Sequence, residues 1–390
     1  MAQTRLAFVA QGRLHLHVGD GAPRVVESAF GRSLRDRAAQ IQNRNAWKMQ
    51  GFGARFMGLS GSARPAPDGG DFPILLTSVA RGSAPGEVLY SLETREISGV
   101  FAVDASGFER RLFHTADFRV RDLAAHPDGT AIAVSVSQGS LAANIAVLNA
   151  DGSDLRDVSE GDSLDRAPHW DPGRPRRLVF QSAGLGRDAS GRLAGRGPFA
   201  LQRLDLESGE LQCLAEDPGA DYLGPQVAPD GALYYIRRPF GNKPSGSGPL
   251  GALKDAALLP FDLVVGILKL LSFAATLSRG RKRPGASPED DASPAEQFRV
   301  WGETIAVGRS TREERHDAGE VPSLVPSSWQ LIRQTQAGQK VLANGILSFD
   351  IAPDGSVLYS NGRAVHRIDP DGARTERVHV GNLIQQVAAL

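Results

Sequence analysis

A Pro-Asp-Gly triplet set between two short runs of alternating apolar and polar residues recurs along this 390-residue chain. The arrangement occurs at 123–134 around Pro127-Asp128-Gly129, at 226–235 around Pro229-Asp230-Gly231, and at 349–360 around Pro353-Asp354-Gly355. A degenerate copy, Asp171-Pro172-Gly173 ahead of Arg177-Leu178-Val179-Phe180, lies between the first two. Proline presets φ at the first corner of a turn, aspartate bonds back to the turn backbone, and glycine supplies positive φ. Each copy therefore predicts a hairpin between two short strands.

Further strand-like runs extend the unit beyond each hairpin. After the first copy come the run 144–149, a turn at Asp151-Gly152-Ser153 and a second run at 155–158. After the last come 364–368, a turn at Asp371-Gly372 and 374–378. Four strands repeated at a period of about 40–50 residues are the signature of a propeller blade. On these motifs the chain resembles the TolB-like β-propellers with their WD-like Pro-Asp-Gly repeat, over most of its length but not over 239–326.

The resemblance implies an all-β, six-bladed propeller of four-stranded antiparallel blades. The expected blades are 5–28 with the C-terminal tail, 56–115, 120–159, 165–217, 221–343 and 346–380. Residues 5–28 hold only three strand-like runs, and Asn382-Leu383-Ile384-Gln385-Gln386-Val387 is the natural fourth. Pairing the two chain ends closes the ring and removes the free edges that an open sheet must protect. In this division 1–238 and 327–390 form one domain, and 239–326 are an insertion in the fifth blade. Between the first two blades, 33–48 reads as a helix with Ser33 as N-cap. Leu34, Ala38, Ile41 and Asn45 share one face of it, and Arg35, Arg37, Arg44 and Lys48 lie outside.

The insertion is the anomaly. After the flexible run 241–248 comes an apolar segment, 250–278, then Arg279-Gly280-Arg281-Lys282-Arg283 and a Pro-, Ser- and acid-rich linker. Pro260 suits a first helical turn. Asp262, Lys269, Ser272 and Thr276 then fall on one narrow polar stripe. Phe261, Leu263, Val264, Ile267, Leu268, Leu271, Phe273 and Leu277 fill the wide remaining arc, with Leu270 among them. Twelve Leu, Ile, Val and Phe residues between 258 and 277 favour insertion into a bilayer by about 5 kcal/mol, while Lys269, Asp262 and Pro260 cancel most of that. A single crossing would also strand half a ring on each side of the bilayer. An amphipathic helix lying on an anionic membrane surface, or on a protein partner, satisfies both constraints. The third cover is the propeller itself. Arg279, Arg281, Lys282 and Arg283 would add about 1 kcal/mol each beside anionic lipid.

Forty-four basic residues balance 44 acidic ones, so no broad polyanion-binding face and no nucleic-acid partner are expected. The lone Cys213 excludes an internal disulfide, and its apolar neighbours predict a buried, inert thiol. His15 and His17 alternate on a strand and read as outward polar positions rather than ligands. Asn149-Ala150-Asp151-Gly152-Ser153-Asp154 reads as a polar turn, since it lacks the spacing of a calcium loop. The first ten residues carry no apolar core and no cleavage site, which predicts a cytoplasmic protein, peripheral to the membrane at most.

The sequence holds no phosphate loop, His-Glu-x-x-His, Cys-x-x-Cys pair or Gly-x-Ser-x-Gly elbow, and no cofactor is expected. The resemblance places Asp122, Asp165, Arg166, Asp221, Tyr222 and Asp350 near the mouth of the propeller channel. Six-bladed lactonases hold a divalent cation with such axial groups, so a metal-dependent hydrolase is the alternative activity. Arg55, Arg121 and Arg166 in the same zone argue that these carboxylates are paired instead. Together these features predict a non-catalytic scaffold for protein–protein interaction, tethered by its insertion to a membrane surface or a partner.

Overall fold

The Pro-Asp-Gly segments fold as their chemistry dictates. Gly129, Gly231 and Gly355 take φ of 75°, 80° and 82°. Their N–H groups donate to the carbonyls of His126, Ala228 and Ala352 at 2.8–2.9 Å. Oδ1 of Asp128, Asp230 and Asp354 accepts from the N–H two residues on, at 2.9 Å each time. The structure, a computed structural model, describes residues 5–19, 21–50, 73–138, 142–188, 190–240, 297–300, 303–306 and 321–390.

Six four-stranded antiparallel sheets succeed one another as propeller blades. Blade one takes Arg5–Ala10, Arg13–Val18 and Arg24–Val26 from the start of the chain and Ile384–Ala389 from its end. Leu6 lies opposite Ala389 and Phe8 opposite Val387, so the closing strand is the innermost, as expected. Blade two is Leu75–Arg81, Val88–Glu93, Ser98–Val103 and Glu109–Thr115, and blade three is Arg119–Ala125, Ala131–Ser137, Asn144–Asn149 and Arg156–Asp157. Blade four is Ser163–Trp170, Arg177–Arg187, Ala200–Asp205 and Leu211–Ala215, with a short extra strand, Leu193–Arg196, on its second. Blade five is Ala220–Val227, Leu233–Pro239, Gln330–Thr335 and Gly338–Asn344; blade six is Ser348–Ile351, Val357–Ser360, Ala364–Ile368 and Thr375–Val380. Apolar clusters fill the seams. Tyr90 and Phe101 of blade two pack with Val9 and Ala388 of blade one, and Leu6 and Val387 pack with Leu358 and Val365 of blade six.

Several local expectations are corrected. The four strands of the second blade run from Leu75 to Thr115; the earlier part of its expected range, 56–72, and Arg55 are outside the described residues. The helix is Ala29–Gln50 and begins earlier than its sequence suggested. Ser28, not Ser33, caps it, its Oγ accepting from Gly31 N–H at 3.0 Å, while Ser33 Oγ donates to the Phe30 carbonyl. The Glu109 carboxylate, from another blade strand, accepts from the N–H groups of Ala29 and Phe30 at 2.9 Å each. Leu34 and Ala38 are half-buried, but Ile41 is 60% exposed, so the expected apolar face stops short. Cys213 is exposed rather than buried, because Leu211–Ala215 is an outermost, solvent-facing strand. His15 and His17 are not outward: His15 stacks on Phe8 at 4.8 Å, and buried His17 lies 5.3 Å from His379 across the seam to blade six.

The insertion helix expected over 261–278 and the basic run at 279–283 lie outside the described residues. Within the inserted stretch, Gln297–Val300 and Glu303–Ala306 form a small antiparallel hairpin. Among the described residues no helix is long and apolar enough to cross a membrane.

Candidate functional site

The innermost strands bulge, and the bulges position the axis. Register shifts fall between Arg121 and Ala124, between Arg166 and His169, and between Leu223 and Gln226. The residues at these shifts, Asp122, Ala167 and Gly224, have φ of 53°, 51° and 58°. An extra residue on one strand breaks the ladder locally and re-aims its neighbours. Backbone N–H groups beside the bulges are thereby available to the adjoining blade.

N–H groups of all six innermost strands, some beside bulges, are taken up by a closed circle of side chains. Gln386 Oε1 of blade one accepts from Val79 N–H of blade two at 3.1 Å, and Ser78 Oγ accepts from Leu123 N–H of blade three at 3.0 Å. Asp122 Oδ2 accepts from Ala167 N–H of blade four at 3.4 Å, and His169 Nδ1 from Val227 N–H of blade five at 3.5 Å. The latter step is reinforced by Gln181 Oε1, which accepts from Gly224 N–H at 2.7 Å. Gln226 Oε1 accepts from Ile351 N–H of blade six at 3.0 Å, and Asp350 Oδ2 from Ala389 N–H of blade one at 2.7 Å. Each link runs from one blade to the next in the same sense.

This circle surrounds an axial cavity of about 520 Å³ to which all six blades contribute. Small residues such as Ala84, Pro85, Ala125, Pro168 and Pro225 make much of its wall, and polar and apolar surface share it about equally. Asp122 and Asp350 are both on it. Burial raises the Asp350 carboxyl to about 6, against the Ala389 N–H bond and the nearby Arg81 charge. Burial lowers His169 to about 4, so its imidazole is neutral near pH 7 and its Nδ1 can accept. Arg5 and Arg81 also reach the cavity.

Of the other residues expected at the mouth, Asp165, Arg166, Asp221 and Tyr222 are buried off the cavity wall. Asp165 accepts from Ser159 and Ser182 at 2.6 and 2.7 Å, and burial raises its pKa. Arg166 pairs with Asp122 at 2.7 Å, and Arg121 with Glu93 at 2.5 Å. Tyr222 meets Tyr235 edge to face at 5.4 Å. Asp221 is gripped by Arg196 at 3.0 and 3.1 Å, by Arg238 at 2.8 and 2.9 Å, and by Phe199 N–H at 2.8 Å. Among the described residues no three His, Cys, Asp or Glu side chains converge as a metal site.

Many solved structures share this architecture, among them two that overlap almost the whole of this chain. TolB from Acinetobacter baumannii matches at a TM-score of 0.51 and 12% identity over 99% of this chain, which spans 66% of that protein's length. A chain of the nidogen/laminin complex matches at 0.51 and 10% identity, over 99% of this chain and 98% of that one. The ring is a TolB-like propeller in fold. No family model and no curated protein matches its sequence. At such identities the likeness to TolB is one of architecture.

Sequence alone does not single out Ser78, His169, Gln226 and Gln386, which carry the TolB-like ring's inter-blade links. Three of the linking residues do leave a signal. His169, Gln226 and Asp350 each stand three residues before the proline of their own turn.

Proposed function

We propose that the protein is a non-catalytic propeller scaffold, tethered to a membrane surface or a protein partner by the inserted segment. The observation that carries this reading is the pairing of blade five across the insertion. Leu233–Pro239 pairs with Gln330–Thr335 residue by residue, Leu233 opposite Gln334 and Arg237 opposite Gln330. The ring is therefore complete without 241–320, and that stretch adds an apolar, basic-ended segment to a finished domain. The axial carboxylates support the non-catalytic half of the reading, because Asp122 and Asp350 accept bonds from neighbouring blades. A residue that holds the ring together is poorly placed to ligate a metal as well.

Vesicle flotation tests the tether. Full-length protein should float with anionic liposomes, and neutralising Arg279, Arg281, Lys282 and Arg283 should weaken that binding while sparing neutral vesicles. Leu268→Asp with Leu271→Asp should abolish both. If the wild type floats with no liposome, the tether is a protein contact, and the same double variant should release a partner recovered with the wild type. Retention of every partner and vesicle by a 250–283 deletion would sink the proposal.

A further inference from the structure

We propose that the axial cavity binds a small monocarboxylate with a compact apolar body, its carboxylate seated on Arg81. At about 520 Å³ the cavity falls inside the range of roughly 300–1,000 Å³ typical of small-ligand sites. Such sites combine apolar surface with placed polar groups, and this wall carries both.

The polar groups on the wall divide into those already used and those left over. Asp122, Gln226, Asp350 and Gln386 are held in the inter-blade circle. His126 is spent between Asp128 and the Pro175 carbonyl. Among the described residues the side chains of Arg5 and Arg81 have neither a hydrogen bond nor an ion pair, and of the two it is the Arg81 charge that is felt at both Asp350 and His169. A guanidinium left unpaired beside an apolar wall is suited to a bidentate carboxylate. Ser348 is the second, independent sign. It lines the same cavity and is 1% exposed, yet its hydroxyl has no partner. Buried hydroxyls are nearly always bonded, so an orphan on a cavity wall points to a missing acceptor or donor.

Charge decides the class. Arg5, Arg81 and the Arg166 that pairs with Asp122 stand against Asp122 and Asp350, three positive charges against two negative, so one added negative charge balances the site and a second does not. His169 is neutral and adds no anion affinity of its own. One negative charge and an apolar remainder is what the cavity can hold.

Calorimetry on the full-length protein tests this with hexanoate, 4-methylpentanoate and phenylacetate, each against its amide, and with succinate and phosphate as controls. At least one monocarboxylate should bind saturably at millimolar concentration or better, with its amide, succinate and phosphate weaker. Arg81→Gln should lower that affinity by about tenfold or more, the loss expected for a charge-assisted pair. Arg81→Lys should lose less, and Ser348→Ala should weaken binding with Arg81 intact. Arg81 is exposed, so an unchanged melting temperature will show that its variants fold. No saturable binding by any monocarboxylate overturns the proposal, as does equal binding of acid and amide or an affinity indifferent to Arg81→Gln. The outcome is independent of the tether, because the probes report on the ring alone.

Discussion

Asp350 accepts the N–H of Ala389 at 2.7 Å, and this bond fastens blade six to the strand that completes blade one. It is the sixth link in a circle whose members are all side chains accepting from the backbone of the next blade. Ring closure in this chain thus rests on two devices, the strand exchange between the chain ends and this axial link. The second carries a cost, because a buried carboxylate is poorly solvated.

That cost sets a pH dependence. Burial lifts Asp350 to about 6, against the opposing pull of Ala389 N–H, Arg81 and Gln226. A carboxyl raised in the folded state contributes stability that is full below its unfolded pKa and is lost as pH rises through about 6. Asparagine keeps an acceptor oxygen for Ala389 without the charge. Asp350→Asn should therefore match the wild type in urea midpoint near pH 4 and exceed it near pH 7.5. A variant no more stable at the higher pH would contradict the burial argument.

The closing strand itself can be weighed. Removing 381–390 deletes Ile384, Val387, Ala388 and Ala389, all buried, and unpairs Leu6 to Ala10. Burying a Val- or Ile-sized side chain stabilises by about 1.5–3 kcal/mol, so Ile384 and Val387 alone predict a loss of several kcal/mol. The truncated protein should melt well below the full chain and be prone to associate through its bare edges. Melting within a degree or so of the full chain would place closure elsewhere.

Much of this architecture is legible in the sequence because it is local. The Pro127, Pro229 and Pro353 turns announce their hairpins within four residues, and a three-stranded N-terminal run beside an orphan C-terminal strand announces closure. The axis is legible only in part. Asp122 and Asp350 stand out as carboxylates near a channel, but their partners, Ala167 and Ala389, lie 45 and 39 residues away. No local pattern encodes such a pairing. Stacking the repeats narrows the search, since the position three before the turn prolines Pro172, Pro229 and Pro353 holds His169, Gln226 and Asp350, although Ala124 stands there before Pro127. Ser33 misleads because Ser28 and a distant Glu109 cap the helix together. Cys213 misleads because an apolar run reads the same on an outer strand as on an inner one.

The helix cap gives a test of that long-range contact. Glu109 accepts from Ala29 and Phe30 at the helix start and from the hydroxyl of fully buried Tyr90 at 2.5 Å. Glu109→Ala uncaps two helix-terminal N–H groups, the one at Ala29 exposed, and takes the acceptor from a buried hydroxyl that keeps its contact with Ser28. The expected loss is about 2–4 kcal/mol, since orphaned buried polar groups cost about 1–3 each and caps about 1. Glu109→Gln, which keeps one acceptor oxygen, should lose about half as much by urea denaturation. Equal losses from the two variants would mean that charge rather than geometry holds the helix.

The severest single substitution should be at Asp221. Its carboxylate is 1% exposed and accepts from Arg196, Arg238 and Phe199 N–H. Arg238 in turn lies over Trp329 at 4.6 Å, and Arg196 over Phe199 at 4.4 Å. Burial raises the Asp221 pKa, but the Arg196 hydrogen bond and the two guanidinium charges outweigh it and hold the carboxyl below its ordinary range. A carboxyl lowered in the folded state contributes stability above its unfolded pKa and loses it as pH falls through the folded value. Asp221→Ala removes the carboxylate that both arginines share in a seam between blades, and breaking a buried pair costs about 3–5 kcal/mol. The deficit should be full at pH 7 and shrink in acid, where the wild type also loses its charge. Replacing Asp221, Arg196 and Arg238 together by Leu, Met and Met should recover part of it, because no arginine is then left without the shared carboxylate. A triple variant as unstable as Asp221→Ala alone would mean that the cluster is needed for its shape rather than for its charge balance.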